Sequence, residues 1–530
     1  MSETDHADQT DRTIAVPNDT WLIDLTLTAP SLQDNTADAE RLGGALAAAL
    51  GVDHVERDFD LLEDLPRQVR QWDFRARCVW IEDRGRVRLV ALCDPRSDHG
   101  PLGLAVDLGT TRLVIRLVEL STGDVLGEAT VDNPQLDVGP DILTRIHFAG
   151  TDGGVQRLQD LVVGGLNGAV ADLCDALGRA PEEIHLVAIA GNTAMTHLLL
   201  GLETRWIIRE PYIPVVNRPG LVRASQLGLR VAPRGWCYVF PNVGSYFGGD
   251  LVAGILFSGI AEAEEPAILV DVGTNAEVVL GNRDWLIACA GAAGPALEGG
   301  VTRMGMMAGP GAIDRVTMDP DTRELHLHTI GDEPPRGICG SGLIDLAAAL
   351  FLSGRVDIRG KLVPERCGDQ VTEADGMAQL VLVPAAESAS GADLTLKQAD
   401  IDSLIRSKAA MYTILRTVTH YVGVSFEDLA AFYVAGTFGI YIDPRAAVTI
   451  GMVPDLPLPT YQPLGNSSLG GATAALTSRA RFSRIEALRD RITYLELNVN
   501  QEFMNRFSAA KFLPHTDPTR FPSVRVPDGQ

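Results

Sequence analysis

The sequence predicts an α/β protein in which a small N-terminal α/β domain precedes a larger part built on an internal duplication. Three observations predict it. Residues 16–93 hold a strand, a helix and a hairpin in close succession. A Pro/Gly/polar stretch, residues 94–101, separates that unit from the remainder of the chain. From residue 102 onward, the pattern strand, Asp-x-Gly-Thr turn, strand, turn, strand occurs twice.

Residues 1–15 are acidic and polar and read as a disordered tail. Trp21-Leu22-Ile23-Asp24-Leu25-Thr26-Leu27 has the partly β-branched, interrupted apolar character of a strand. Asp34-Asn35-Thr36 is expected to cap an Ala/Leu-rich helix that reaches Leu50 and stops at Gly51, although Gly43-Gly44 weakens its interior. Arg75–Ile81 and Val87–Leu92 flank Asp83-Arg84-Gly85 as a hairpin. After the linker, Leu102–Val106 runs into Asp107-Leu108-Gly109-Thr110-Thr111, then Val114–Val118, the turn Ser121–Asp124 and a returning strand. Much later, Ala267–Val270 runs into Asp271-Val272-Gly273-Thr274-Asn275, then Glu277–Leu280, a turn and Trp285–Ala288.

Composition bounds the function. The 530 residues are 46% apolar and 22% charged, enough for about three or four domains with real cores. Lys+Arg 45 against Asp+Glu 69 leaves a net charge of −24, which repels nucleic acid and anionic lipid alike. A nucleotide remains compatible, because backbone N–H groups and a metal build a phosphate site without net positive charge. No apolar run approaches the ~18 residues of a membrane helix, and Met1–Asp8 is the reverse of a signal peptide, so a cytoplasmic chain is expected. The seven cysteines are scattered without a C-x-x-C, so reduced, buried thiols are expected and no iron–sulfur cluster.

The repeated turn carries the chemistry. A glycine after a buried strand lets backbone approach a phosphate, the following threonine and N–H groups bond its oxygens, and the strand-end aspartate holds Mg²⁺. One copy is weak evidence, since Asp and Gly are common in strand-joining turns. Two copies with the same flanks are much stronger.

On these motifs the chain resembles the ATPase superfamily of actin, the heat-shock chaperones and the sugar kinases. That resemblance implies a two-lobed actin-like fold of duplicated ribonuclease-H-like lobes over residues 102–530, binding ATP and Mg²⁺. It assigns Asp107, Gly109, Thr110 and Thr111 to a first phosphate loop, and Asp271, Gly273, Thr274 and Asn275 to a second. Asp107 and Asp271 become the metal-binding and catalytic aspartates, and Glu277 a candidate base or water-orienter whose register the sequence leaves open. Val434-Ala435-Gly436-Thr437-Phe438-Gly439 resembles the adenosine motif, which places Gly436, Thr437 and Gly439 at the nucleotide. Further motifs narrow the match: Ile189–His197, Pro241–Gly244, Gly248-Gly249-Asp250, Gly294–Gly299, Gly337–Gly342, and the ending Ile492–Leu497 with Phe512–Asp517. Together they are similar to the reductive activators of corrinoid proteins, the ATP-dependent reactivases of cobalamin methyltransferase systems. Asn192 and Asp250 join the candidate nucleotide residues because polar side chains beside glycine turns often line a cleft, and Glu298, after Gly294-Pro295, either contacts the nucleotide or caps a helix. Those activators usually begin with a [2Fe–2S] ferredoxin domain. This chain has no cysteine before Cys78, so the electron is expected from a separate low-potential donor.

Plainer readings stand beside these. Cys289 and Cys339 flank glycine turns, but buried thiols are the commoner outcome. His326 and His328 alternate on one strand face without a third ligand, and His197 borders an apolar run as a core histidine. Asp400–Tyr421 reads as an amphipathic support helix. The expected activity is ATP-dependent Co(II)-to-Co(I) activation of a corrinoid protein. The alternative is a nucleotide-gated chaperone or binding module without redox role, and a small-molecule kinase lacks an identifiable base. The N-terminal unit is a candidate dimerisation or docking module, and a homodimer is compatible with the sequence.

Overall fold

In the computed structural model, residues 19–273, 276–291, 304–319, 321–374, 377–495 and 501–527 are described. The expected tail, residues 1–15, lies outside them. The chain forms two compact units, one holding residues up to Ala253 with Ser468–Ala487, the other Gly254–Ser467 with the chain from Leu488.

The first unit opens with β1 (Leu22–Thr26), α1 (Asp38–Leu50), β2 (Val55–Arg57), α2 (Leu61–Gln71), β3 (Arg75–Asp83) and β4 (Arg86–Cys93). The strands form one sheet in the order β1-β3-β4-β2. In α1, Leu42, Leu46 and Leu50 recur every fourth residue and are buried, which outweighs the two glycines. Gly51 ends it in the left-handed region, its N–H bonding Ala47 O. The expected cap is corrected here. Ala37 is the N-cap and offers no side chain. The Asp34 carboxylate is instead held by Thr36, at 3.2 Å from its N–H and 2.8 Å from its hydroxyl, and by Arg41. The β3–β4 hairpin turns through Arg84 and Gly85, both at positive φ, as a tight two-residue turn requires.

This small domain is clasped to the rest of its unit. Trp21 donates its indole N–H to Ala475 O at 3.0 Å and meets Trp80 and Phe482 edge-on. Asp58 pairs with Arg223, and the Arg88 and Arg223 guanidinium groups lie 4.4 and 4.8 Å from the Trp236 ring centre. Residues 94–101 therefore join two parts that also touch through side chains.

The larger sheet of this unit contains β5 (Leu102–Leu108), β6 (Arg112–Glu119), β7 (Val125–Asp132), β8 (Ile184–Gly191), β9 (Gly220–Arg223) and β10 (Trp236–Val239). Their order is β7-β6-β5-β8-β10-β9, with β5 antiparallel to β6 and parallel to β8. Helices α3 (Ile142–Ala149), α4 (Gly154–Leu177) and α5 (Thr193–Leu199) belong to the same stretch of chain, and α6 (Gly249–Ser258) leaves it. Leu158, Val162, Leu166 and Val170 of α4 cover the sheet residues Leu104, Val106, Leu113 and Ile115.

The second unit repeats the plan. It contains β11 (Ala267–Val272), β12 (Ala276–Gly281), β13 (Leu286–Gly291), β14 (Ala312–Met318), β15 (Leu325–Thr329) and β16 (Gly337–Ile338), followed by α7 (Gly340–Leu352). Then come β17 (Val371–Ala374), β18 (Met377–Val383), β19 (Leu394–Lys397), β20 (Ala431–Ala435), β21 (Tyr461–Gly465) and β22 (Ile492–Tyr494). Its main sheet runs β21-β20-β11-β12-β13-β22. As in the first unit, the aspartate strand β11 is antiparallel to the next strand and parallel to a later one, β20. The two-lobed actin-like α/β fold is thus present as two equivalent sheets. The expected support helix spans Gln398–Val422, starting at Lys397 because Asp400 accepts that residue's backbone N–H at 2.8 Å. Among the described residues, no helix is long and apolar enough to cross a membrane.

Candidate functional site

In the first unit, β5 is buried on both faces until Asp107, which is half-buried at the carboxyl end of the strand. It stands opposite Val114 of β6 and beside Ala190 of β8. The loop after it is held from two sides. Asn192, at the end of β8, donates from Nδ2 to the Thr110 hydroxyl at 3.1 Å and accepts the Met195 N–H at 2.9 Å as the N-cap of α5. Asn133 donates from Nδ2 to Gly109 O at 2.9 Å, and its own N–H bonds Thr111 O at 2.8 Å. Gly248 presses on the end of β8, since a Cβ there would lie 2.3 Å from the Asn192 Cα. Asp250, two residues on, is half-buried and takes the Leu251 N–H at 2.8 Å. Gly109, Thr110, Thr111 and Asn192 are therefore brought together, with the Gly248–Asp250 turn beside them.

In the second unit the register resolves Glu277. Asp271 on β11 faces Glu277 on β12 directly, and both are half-buried. Facing side chains on paired strands lie roughly 5 Å apart at Cβ, so the two carboxyl groups share one patch of the sheet. In the first unit a valine, Val114, occupies the facing position instead. Gly436 follows Ala435, the parallel neighbour of Asp271, at φ +82. A Cβ on it would lie 3.1 Å from Asp271 Oδ1, so this turn demands glycine for conformation and for space. The motif read as adenosine-binding therefore abuts the second aspartate. Gly439 belongs to the short helix Gly436–Tyr441. Gly273 closes the described part of the loop. Thr274, Asn275 and Glu298 lie outside the described residues, as does the Thr437 side chain.

The plainer readings hold for several residues. His197 is fully buried, with Nδ1 2.6 Å from Thr193 O and Nε2 accepting the Val216 N–H at 3.3 Å. His326 and His328 are exposed on one face of β15, and His328 bonds Asp314 at 2.6 Å. Cys289 and Cys339 are both buried, and burial pushes the Cys289 thiol up to about 12.

Four polar residues with structural weight escaped sequence reading. Asn133 comes after β7 in Asn-Pro-Gln, a run that reads as any turn. Arg145 is fully buried in α3, where a basic residue signals a solvated face. Lys408 is fully buried in the helix Gln398–Val422 and donates to Phe512 O at 2.5 Å and Pro514 O at 2.7 Å. Asp345 of α7 is buried, accepts the Val316 N–H at 3.2 Å, and is pushed up to about 6 chiefly by burial.

Comparison with known proteins covers nearly the whole chain. Residues 265–525 match the family model described as the C-terminal domain of RACo, the ASKHA domain; residues 102–263 match the RACo middle region and 9–97 the RACo linker region. A solved structure titled reductive activator for corrinoid, iron-sulfur protein aligns with a TM-score of 0.85 at 36% identity, covering 99% of this chain and 83% of that one. The corrinoid activation enzyme RamQ of Eubacterium limosum is 28% identical over 79% of this chain and 72% of its own length. The Co(II) methylated amine-specific corrinoid protein reductase of Methanosarcina barkeri is 25% identical over 76% and 75%.

Proposed function

The chain belongs to the family of reductive activators of corrinoid proteins, and from that premise we propose that it is an ATPase that returns a Co(II) corrinoid protein to Co(I). The likeness to a reductive activator over 99% of this chain carries this reading. One electron passes from a separate low-potential donor to Co(II), giving Co(I). Each ~100 mV by which the donor falls short costs ~2.3 kcal/mol for one electron. An activator shifts that equilibrium only through different affinities for the Co(II) and Co(I) states, so in one nucleotide state it must bind the Co(I) form relatively more tightly; preferring the Co(II) to the methylated form only selects the protein that needs rescue.

The two loops supply the nucleotide residues. Gly109, Thr110 and Thr111 in one, and Gly273, Thr274 and Asn275 in the other, take phosphate oxygens. Asn192, Asp250, Glu298, Gly436, Thr437 and Gly439 complete the nucleotide set. Mg²⁺, which takes carboxylate oxygens, is assigned to Asp271 with Glu277 facing it across β11 and β12, and Asp107 is the metal-binding candidate of the first loop. When bound, the ion neutralises phosphate charge. Glu277 is the candidate base or water-orienter, and the residue facing Asp107, a valine, has no side chain for that chemistry.

We assign no iron–sulfur cluster to the isolated chain, because a fully buried Cys289 with its thiol pushed up is the opposite of a ready thiolate ligand. Seven unpaired cysteines suit a reducing, cytoplasmic compartment. Stoichiometric iron and sulfide after anaerobic purification would overturn the first of these. The test of the nucleotide reading is Asp271→Ala, which deletes one carboxylate at a strand end. Hydrolysis of Mg·ATP should be lost with the circular dichroism spectrum unchanged, and unaltered hydrolysis would defeat the assignment.

A further inference from the structure

Behind the first phosphate loop lies a buried polar relay that ends in a cation without an anion. Asn133, which holds Gly109 and Thr111, accepts the Gln135 N–H on Oδ1 at 3.0 Å. Gln135 donates to Leu158 O of α4 at 2.8 Å and accepts Arg145 Nη1 at 3.1 Å. Arg145 also donates from Nε to Gly139 O at 2.9 Å and lies 3.5 Å from the Met195 sulfur, on the helix that Asn192 caps. Asn133, Gln135 and Arg145 are each 0% exposed.

A buried guanidinium ordinarily sits with a carboxylate. Arg145 makes no ion pair among the described residues, and its Nη2 has no hydrogen-bond partner. Its electrostatic neighbour is Asp141, but both oxygens of that carboxylate serve Thr144, at 2.9 and 2.7 Å, in capping α3. Burial pulls Arg145 down only to about 10, so it is charged at neutral pH. A charge in this position raises the affinity of the adjoining loop for an anion.

We propose that Asn133, Gln135 and Arg145 are positioning residues for the first phosphate loop, and that Arg145 is left without a carboxylate because the phosphates of the bound nucleotide supply its counter-charge. This rests on the nucleotide reading. A merely structural arginine would affect stability. A counter-charge must in addition discriminate phosphate-bearing ligands from adenosine.

The experiment measures ATP, ADP and adenosine affinities by calorimetry for the full chain and for three variants. Arg145→Met should weaken ATP about tenfold and leave adenosine within twofold. Arg145→Lys, which keeps the charge on a similar stem, should restore most of the ATP affinity. Met195→Glu places a carboxylate beside the retained guanidinium. It should weaken ATP more than adenosine whatever its effect on the melting temperature, which keeps the proposal testable if Arg145→Met fails to fold. Equal losses for ATP and adenosine, or a Lys variant no better than Met, would overturn the proposal. Absence of ATP binding by the unaltered chain would instead defeat the nucleotide reading.

Discussion

Glu277→Gln should make the nucleotide-free protein more stable while making it a poorer ATPase. Asp271 and Glu277 face each other across β11 and β12, which puts their Cβ atoms about 5 Å apart. Two like charges at that distance repel by about 3 kcal/mol at an effective dielectric of 20 and by about 0.8 kcal/mol in water. Both side chains are half-buried, so a net cost near 1 kcal/mol is reasonable. Removing one charge without changing shape should raise the melting temperature by about 2–4 °C in a unit of this size. Thermal unfolding is measured in EDTA and again with saturating Mg·ATP, alongside phosphate release. The gain should be present in EDTA and absent or reversed with Mg·ATP, because the cation then relieves the repulsion in the unaltered protein. Hydrolysis should fall by roughly a hundredfold or more, the usual contribution of a positioned general base. An equal gain in both conditions, with hydrolysis undiminished, would refute both the cation pair and the role of Glu277.

Asp345→Asn tests the buried carboxyl of α7. Its folded value, about 6, lies above the ordinary carboxylate value, so the stability it contributes is full below about pH 4 and lost as pH rises through 6. The variant should match the parent near pH 4 and exceed it by about 3 kcal/mol above pH 7; a pH-independent difference in urea midpoints would contradict this. Lys408→Met keeps the apolar stem but leaves the Phe512 and Pro514 carbonyls without their donor, a cost of about 2–4 kcal/mol. Tryptic cleavage after Lys511 should accelerate, and an unchanged cleavage rate would show that the lysine does not hold this segment.

The duplicated strand and turn pattern was legible because a buried strand ending in Asp-x-Gly-Thr leaves both an apolar run and a fixed punctuation. The hairpin at Arg84-Gly85 was legible for the same reason: positive φ selects its residues. The features that escaped depend on pairing between distant segments. That Glu277 faces Asp271 could not be read until the strand register was seen, and the same kind of register shows that Asp107 faces a valine. Gly436 was legible as part of an adenosine-like motif, but its contact with Asp271 appears only once β20 is placed beside β11. Arg145 and Lys408 were invisible for a different reason. Basic residues on amphipathic helices normally mark the wet face, and their burial comes from carbonyls and amides supplied by other parts of the chain. Asp34 went wrong in the opposite sense, a good capping residue whose carboxylate is taken by Thr36 and Arg41.

The central claim is that this chain drives the reduction of a corrinoid protein at the expense of ATP. The most direct measurement tracks the visible spectrum of a Co(II) corrinoid protein under anaerobic conditions, with a low-potential one-electron donor, ATP and this protein added singly and together. Co(I) should accumulate only when all three are present, and the Asp271→Ala variant should not replace the parent. If the rate of Co(I) formation is the same without this protein, across its plausible corrinoid partners, the activator account is wrong. Nucleotide-dependent binding without reduction would then make it a chaperone for the cofactor-bearing protein.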